Sequence, residues 1–204
     1  MYKRFNPSVA VLDPCCGWGG RLVGAVVAKV PHYIGIDLNV NLKEPYKKMI
    51  EKLNELTNPP LGKLEGKLEG NARKTVGFSK IETHFCDAAV FDYSSCSYDM
   101  IFTSPPYFNT ELYSYTNKKT NIEWIETFYK PVFLNAWANL LVDGWLIVNI
   151  SIVIYNAVFV EMFGLAQITI PMNNKTRPKC AVKEFIYCWQ KCASLNPKGT
   201  PLRV

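Results

Sequence analysis

Short, nearly unbroken apolar runs alternate along this chain with longer stretches in which apolar residues return every three or four positions. Residues 9–13 (VAVLD) form one short run, and such continuity predicts a strand covered on both faces. Residues 21–29 follow as a helix entered through a Gly-rich turn, and His32–Asp37 (HYIGID) reads as a second strand. Over residues 43–56, Tyr46, Met49, Ile50 and Leu53 recur at helical spacing, with lysines and glutamates on the opposite face. Asn58-Pro59-Pro60 stops that helix. A tandem GKLE repeat at 62–69 is polar and Gly-punctuated, which predicts a flexible surface insertion over about residues 57–80.

Regular patterning resumes at 81–87 (IETHFCD) and 98–106 (YDMIFTSPP), both strand-like. A long amphipathic helix is predicted over 121–141, with Trp124, Ile125, Phe128, Val132, Phe133 and Trp137 as its buried stripe and Pro131 as a kink point. Asp143-Gly144 reads as a turn, 145–151 (WLIVNIS) as a strand and 155–163 as a short helix. Residues 165–172 and 184–190 look like a closing strand pair joined by a polar, basic loop. This order predicts an α/β domain spanning 1–204, with a mostly parallel central sheet and an antiparallel strand at its C-terminal end.

Composition narrows the picture. With 204 residues, 49% of them hydrophobic and 20% charged, the chain can bury a core and is not of disordered type. No apolar run approaches the roughly 18 residues needed to cross a bilayer, and MYKRFNPS lacks a signal-peptide core. A soluble cytoplasmic protein without membrane partners is expected. The net charge of +6 suits a nucleic-acid partner without requiring one. Seven cysteines without a CxxC pair, beside only two histidines, fit neither a disulfide framework nor a zinc site. No metal is therefore expected; the cysteines read as reduced, mostly buried thiols, and His84 as a satisfied core histidine.

Residues 13–22 (DPCCGWGGRL) run from the first strand into the first helix. In a doubly wound sheet this turn lies at the carboxyl edge, where ligands bind. Gly17 and Gly19 would admit a ligand close to the backbone, and the helix start offers free N–H groups. Asp13 ends the first strand and can accept from a cationic amino group. Asp37 ends the second, where a carboxylate can hold both hydroxyls of a ribose. The G-x-G-x-x-G fingerprint of a pyrophosphate site fails, because Gly17-Trp18-Gly19 is followed by Gly20, Arg21 and Leu22. A ligand carrying adenosine but no phosphates fits better.

The segment Asp13-Pro14-Cys15-Cys16-Gly17-Trp18-Gly19 resembles motif I (D-P-x-x-G-x-G) of class I methyltransferases, a Rossmann-like family that binds S-adenosylmethionine. That resemblance implies S-adenosylmethionine as cofactor, with Asp13, Pro14, Cys15, Gly17 and Gly19 around it. By the same likeness Asp37 matches the ribose-binding acid, and Asp87 the residue that meets the adenine amino group.

Thr103-Ser104-Pro105-Pro106-Tyr107-Phe108 follows the fourth strand-like run. Two prolines end a strand and stiffen the exit, which fixes the direction of nearby carbonyls. The exocyclic amine of cytosine or adenine is a poor nucleophile, because its lone pair is delocalised into the ring. Acceptors on its N–H groups, here the Ser104 hydroxyl and the Pro105 carbonyl, favour a more tetrahedral nitrogen aimed at the sulfonium methyl. Tyr107 would stack on the base, which must leave the duplex to be reached.

Ser104-Pro105-Pro106-Tyr107 resembles motif IV (D/N/S-P-P-Y/F/W) of DNA amino-methyltransferases, which implies catalytic roles for all four residues. Serine at the first position points to cytosine N4; adenine N6, an RNA base, and a catalytically silent binding subunit of the same fold are the alternatives. The implied partner is DNA with its base flipped out, with sequence preference short, weak or supplied by a partner subunit. Candidate DNA contacts are Tyr113, Tyr115, Lys118 and Lys119, and Lys175, Arg177, Lys179 and Lys183. In such enzymes a helix ahead of motif I covers the methionine end of the cofactor; Met1, Tyr2 and Phe5 read as its remnant, and no separate target-recognition domain is expected.

Overall fold

A computed structural model describes residues 1–57, 80–108, 120–172 and 184–193. Its strands are β1 (Val11–Asp13), β2 (His32–Asp37), β3 (Lys80–Phe85), β4 (Tyr98–Thr103), β5 (Leu140–Ser151), β6 (Ile168–Pro171) and β7 (Glu184–Gln190). They form one sheet in the order β3-β2-β1-β4-β5-β7-β6. Neighbours from β3 through β5 pair in parallel, whereas β7 runs antiparallel to both β5 and β6. The antiparallel strand expected near the C-terminus is therefore inserted between β5 and β6.

The helices are α1 (Tyr2–Phe5), α2 (Gly20–Val27), α3 (Lys43–Thr57), α4 (Asn121–Trp124), α5 (Lys130–Asn139), α6 (Ile152–Ile154) and α7 (Val160–Phe163). Alternation along the strands sends successive side chains to opposite faces, and the core divides accordingly. Leu12, Ile34, Ile101 and Val148 lie on the face covered by α4–α7, with Phe133 and Phe159. Val11, Tyr33, Met100 and Ile147 lie on the face covered by α1–α3, with Leu22 and Tyr46. None of the described helices is long and apolar enough to cross a membrane.

Several expectations change in detail. The helix starting at Asn121 ends at Asn139 rather than 141, and Asp143-Gly144 is not a free turn but part of β5. There β5 bulges: Leu140 to Trp145 advances five positions where Tyr98 to Met100 advances two. Asp143 takes up the excess at a φ of 65°, and a Cβ on Gly144 would stand 2.8 Å from the carbonyls of Asp99 and Leu141. Near Pro131 the irregularity is a π turn, Ile125–Tyr129, and Pro131 itself sits in the first turn of α5. The wide turn rotates the apolar stripe, so Tyr129 is fully buried while Ile125 and Phe128 are only half-buried; Ala136 is also fully buried, on the same face of α5 as Val132 and Phe133.

The cysteines are not mostly buried. Among the six described, Cys16 and Cys188 are buried, Cys15, Cys96 and Cys192 are intermediate and Cys86 is exposed. Cys86, Cys96 and Cys192 follow strand or helix ends. His84 is not a satisfied histidine either: its ring rests 5.0 Å from that of Phe91, and its Nε2 is buried with no hydrogen-bond partner. The insertion expected at 57–80 lies almost wholly outside the described residues.

Candidate active site

Four neighbouring parallel strands, β3-β2-β1-β4, deliver their carboxyl ends to one edge of the sheet. Asp87, Asp37, the 13–20 turn and Ser104 thus emerge side by side. The strand order reverses between β1 and β4, so the turn after Asp13 and the Ser104–Tyr107 segment flank the topological switch point.

The 13–20 turn is held from several directions. The Cys16 N–H donates to the Ile36 carbonyl at 2.9 Å, and the Tyr46 hydroxyl donates to the Cys16 carbonyl at 3.1 Å. The Gly17 N–H donates to Asp37 Oδ2 at 2.8 Å, while Asp37 Oδ1 accepts from the Asn39 N–H at 2.8 Å. Gly17 and Gly19 have φ values of 55° and 80°, in the left-handed region that favours glycine. A Cβ on Gly19 would lie 2.3 Å from the Met49 methyl carbon, whereas one on Gly17 would meet nothing within 4 Å. Gly19 therefore serves packing, and Gly17 borders open space. Between them Trp18 is 85% exposed.

Asp13 is fully buried, so it is not presented to a ligand as expected. Its Oδ2 accepts from Arg21 Nε at 2.7 Å and from the Tyr33 hydroxyl at 2.6 Å, and Oδ1 has no partner. The cation that it meets belongs to the chain itself. Arg21 Nη2 also donates to the Cys15 carbonyl, stapling the turn to α2. Burial pushes the Cys16 thiol up to about 12, and burial with the nearby Asp13 raises Cys15 well above its usual range. Both thiols are protonated at neutral pH, and neither offers a thiolate.

Asp87 is exposed two residues beyond β3, its Oδ1 accepting from the Ala89 N–H at 2.8 Å. Pro14 is buried beneath the turn. At the β4 exit the Ser104 hydroxyl donates to the Asn149 carbonyl at 3.3 Å. Pro105 is buried, and Pro106 gives its carbonyl to the Tyr129 hydroxyl at 2.5 Å. Tyr107 and Phe108 are half-buried against the α4–α7 face, with Phe108 edge-on to Tyr129 at 5.7 Å.

Sequence reasoning did not assign Arg21, Tyr129 or Asn149 to the site. Arg21 stands just past the last motif glycine, and Asn149 is the polar residue inside an otherwise apolar WLIVNIS run. The candidate DNA-contact residues 113, 115, 118, 119, 175, 177, 179 and 183 lie outside the described residues. Tyr2 and Phe5 do form a helical turn on this side: the Tyr2 hydroxyl donates to the Arg21 carbonyl at 2.8 Å, and its ring meets Phe102 edge-on at 5.4 Å.

No known family profile matches the chain, and no curated protein matches it in sequence. Solved structures match it in fold. An rRNA methylase from Streptococcus thermophilus aligns over 91% of this chain and 87% of its own, at 14% identity and a TM-score of 0.53. A Streptococcus mutans protein described as a methyltransferase, solved in complex with SAH, aligns over 90% and 89%, at 11% identity and a TM-score of 0.55. TrmN from Thermus thermophilus aligns over 93% of this chain but 46% of its own, at 16% identity and a TM-score of 0.53. At such identities the likeness is one of fold: this chain has the Rossmann-like class I methyltransferase fold.

Proposed function

We propose that this protein transfers a methyl group from S-adenosylmethionine to the exocyclic amino group of a nucleobase in DNA, with cytosine N4 as the leading target. The residues fit the cofactor. Gly17 faces open space where any side chain would intrude, and Asp37 keeps lone pairs beyond the two N–H groups it accepts. Asp87 is exposed at the neighbouring strand end, which supports its assignment to the adenine amino group. S-adenosylmethionine supplies an activated sulfonium methyl, so the protein needs no thiolate nucleophile, in keeping with the protonated Cys15 and Cys16.

The observation that carries the reading is the Ser104 hydrogen bond. When the hydroxyl donates to the Asn149 carbonyl, at 3.3 Å, its oxygen is left to accept from a substrate. Pro106 is likewise committed, to Tyr129, whereas the Pro105 carbonyl accepts from no described residue. The exit thus offers two acceptors, Ser104 Oγ and Pro105 O, and an amine bearing two N–H groups is their complement. Tyr107 follows on the same rigid segment as the stacking partner for the base.

The test is mass spectrometry of nucleosides from DNA and from RNA, each incubated with the protein and labelled S-adenosylmethionine. N4-methylcytosine in DNA is the expected product. N6-methyladenine, or a base-methylated ribonucleoside, would move the target while keeping the chemistry. Absence of label from both nucleic acids would overturn the proposal.

A further inference from the structure

Asp13 is closed to solvent, and the charged side chain left at the carboxyl end of β1 is Arg21, whose side chain is 23% exposed. The way the guanidinium is spent is informative. Its side edge works inward, Nε to Asp13 Oδ2 at 2.7 Å and Nη2 to the Cys15 carbonyl. Arg–carboxylate pairs are frequently two-pronged, but here the side edge is shared with the Cys15 carbonyl and Asp13 Oδ1 has no partner. The end edge, made of Nη1 and the second N–H of Nη2, has no partner among the described residues. That edge has the spacing to receive a second carboxylate in two parallel hydrogen bonds.

Its position suits this role. Arg21 opens α2 beside the motif turn, and Tyr2 joins it to Phe102, two residues before Ser104. The Arg21 backbone therefore lies on the β4 side of the turn, while its guanidinium stays at the end of β1, on Asp13 and the Cys15 carbonyl. A ligand with its ribose at Asp37 on β2 and its sulfur near Ser104 beyond β4 would cross the end of β1, where Arg21 stands.

We propose that the outward edge of Arg21 binds the α-carboxylate at the amino-acid end of the cofactor, while Asp13 acts behind it as a positioning residue. The assignment rests on the S-adenosylmethionine reading. Tyr33 and Asp13 hold the side edge fixed, so the outward edge is preorganised and costs little side-chain entropy on binding.

Calorimetry with two probes tests this: S-adenosylhomocysteine, and its decarboxylated analogue, which keeps the amine and loses only the carboxylate. The wild type should bind the first about tenfold or more tightly than the second. Arg21→Lys, which keeps a positive charge beside Asp13, should reduce that preference to about threefold or less. If Arg21→Lys does not fold, as judged by its melting transition, the neutral pair Asp13→Asn/Arg21→Gln replaces it with the same expectation. A preference that survives either substitution, or an equal loss of both probes, would overturn the role of Arg21. Wild type that binds the decarboxylated analogue as well as S-adenosylhomocysteine would overturn it while leaving the cofactor reading intact. Wild type that binds neither probe would overturn the cofactor reading and the Arg21 assignment with it.

Discussion

The Tyr129 hydroxyl donates to the Pro106 carbonyl at 2.5 Å, so a residue of the π turn holds the centre of the Ser104–Tyr107 segment in place. Tyr129 is fully buried, and its ring packs on Phe133 and Phe159. Tyr129→Phe keeps this packing and removes the tether. Turnover should fall about tenfold or more through misplacement of the acceptors, with S-adenosylhomocysteine affinity unchanged. Urea unfolding should register a loss of about 1 kcal/mol. Unchanged turnover would separate Tyr129 from the function of the segment.

Tyr107 is assigned to the base rather than to the cofactor. Tyr107→Ala should lower turnover sharply, on the order of tenfold to a hundredfold, in line with the loss of one stacked base. Cofactor affinity by calorimetry should stay nearly constant, and Tyr107→Phe should retain most activity. A parallel loss of turnover and cofactor binding in Tyr107→Ala would contradict the division of roles.

Gly17 and Gly19 separate function from packing within one motif. Both lie at positive φ, so alanine costs each roughly 1–2 kcal/mol of backbone strain. At Gly19 the added carbon also strikes the flexible end of Met49, and stability should fall further. At Gly17 it enters open space, so Gly17→Ala should fold with only the strain penalty while S-adenosylhomocysteine binding weakens about tenfold or more. Paired thermal melts and calorimetry read both effects. Comparable weakening of binding per unit of lost stability in the two variants would remove the special place of Gly17.

Much of this was legible in the sequence because it depends on local pattern. Unbroken apolar runs marked β2 and β7 to the residue, and the acids at the ends of β1 and β2 followed from the strand boundaries. What was not legible depends on residues far apart in the chain. That Asp13 would be taken by Arg21 and Tyr33 required α2 to fold back over β1 and β2 to pair with it. Tyr129 was hidden by the π turn, since one extra residue in a turn displaces the buried stripe that a 3.6-residue period assigns. The β5 bulge was similar: Asp143-Gly144 has turn chemistry, but here the excess residues are absorbed within a paired strand.

Lys191 closes the far end of the same helical segment. Its ammonium donates to the carbonyls of Trp137, Ala138 and Leu140 at 3.0, 2.9 and 2.6 Å, at the end of α5 where the Leu140 N–H also donates to the Trp137 carbonyl. Lys191→Met keeps most of the stem and removes the donors. A stability loss of about 1–3 kcal/mol is expected in urea, with methyl transfer per folded molecule unchanged. A variant as stable as wild type would mean that solvent satisfies these carbonyls equally well.

Alkaline pH should reveal the buried thiol beneath the motif turn. Cys16 has an ordinary value of 9.0, and burial followed by the nearby Asp13 moves it to about 12 in the folded protein. Below pH 9 both folded and unfolded chains hold this proton, and the contribution to stability is fully present. Between pH 9 and about 12 the unfolded chain releases it while the folded chain keeps it, so stability is lost as pH rises. Buried tyrosines, Tyr33 among them, also keep their protons and add to the decline, so a single pH profile cannot isolate the cysteine. The difference between wild type and Cys16→Ala can. Whatever packing the substitution removes is constant with pH, whereas the ionisation term is present only in the wild type. Urea unfolding at successive pH values from 8 to 11 should therefore show the wild-type advantage constant up to pH 9. Above that it should shrink with a slope approaching about 1.4 kcal/mol per pH unit. A difference that stays flat through pH 11 would mean that the thiol ionises in the folded protein as readily as in the unfolded chain.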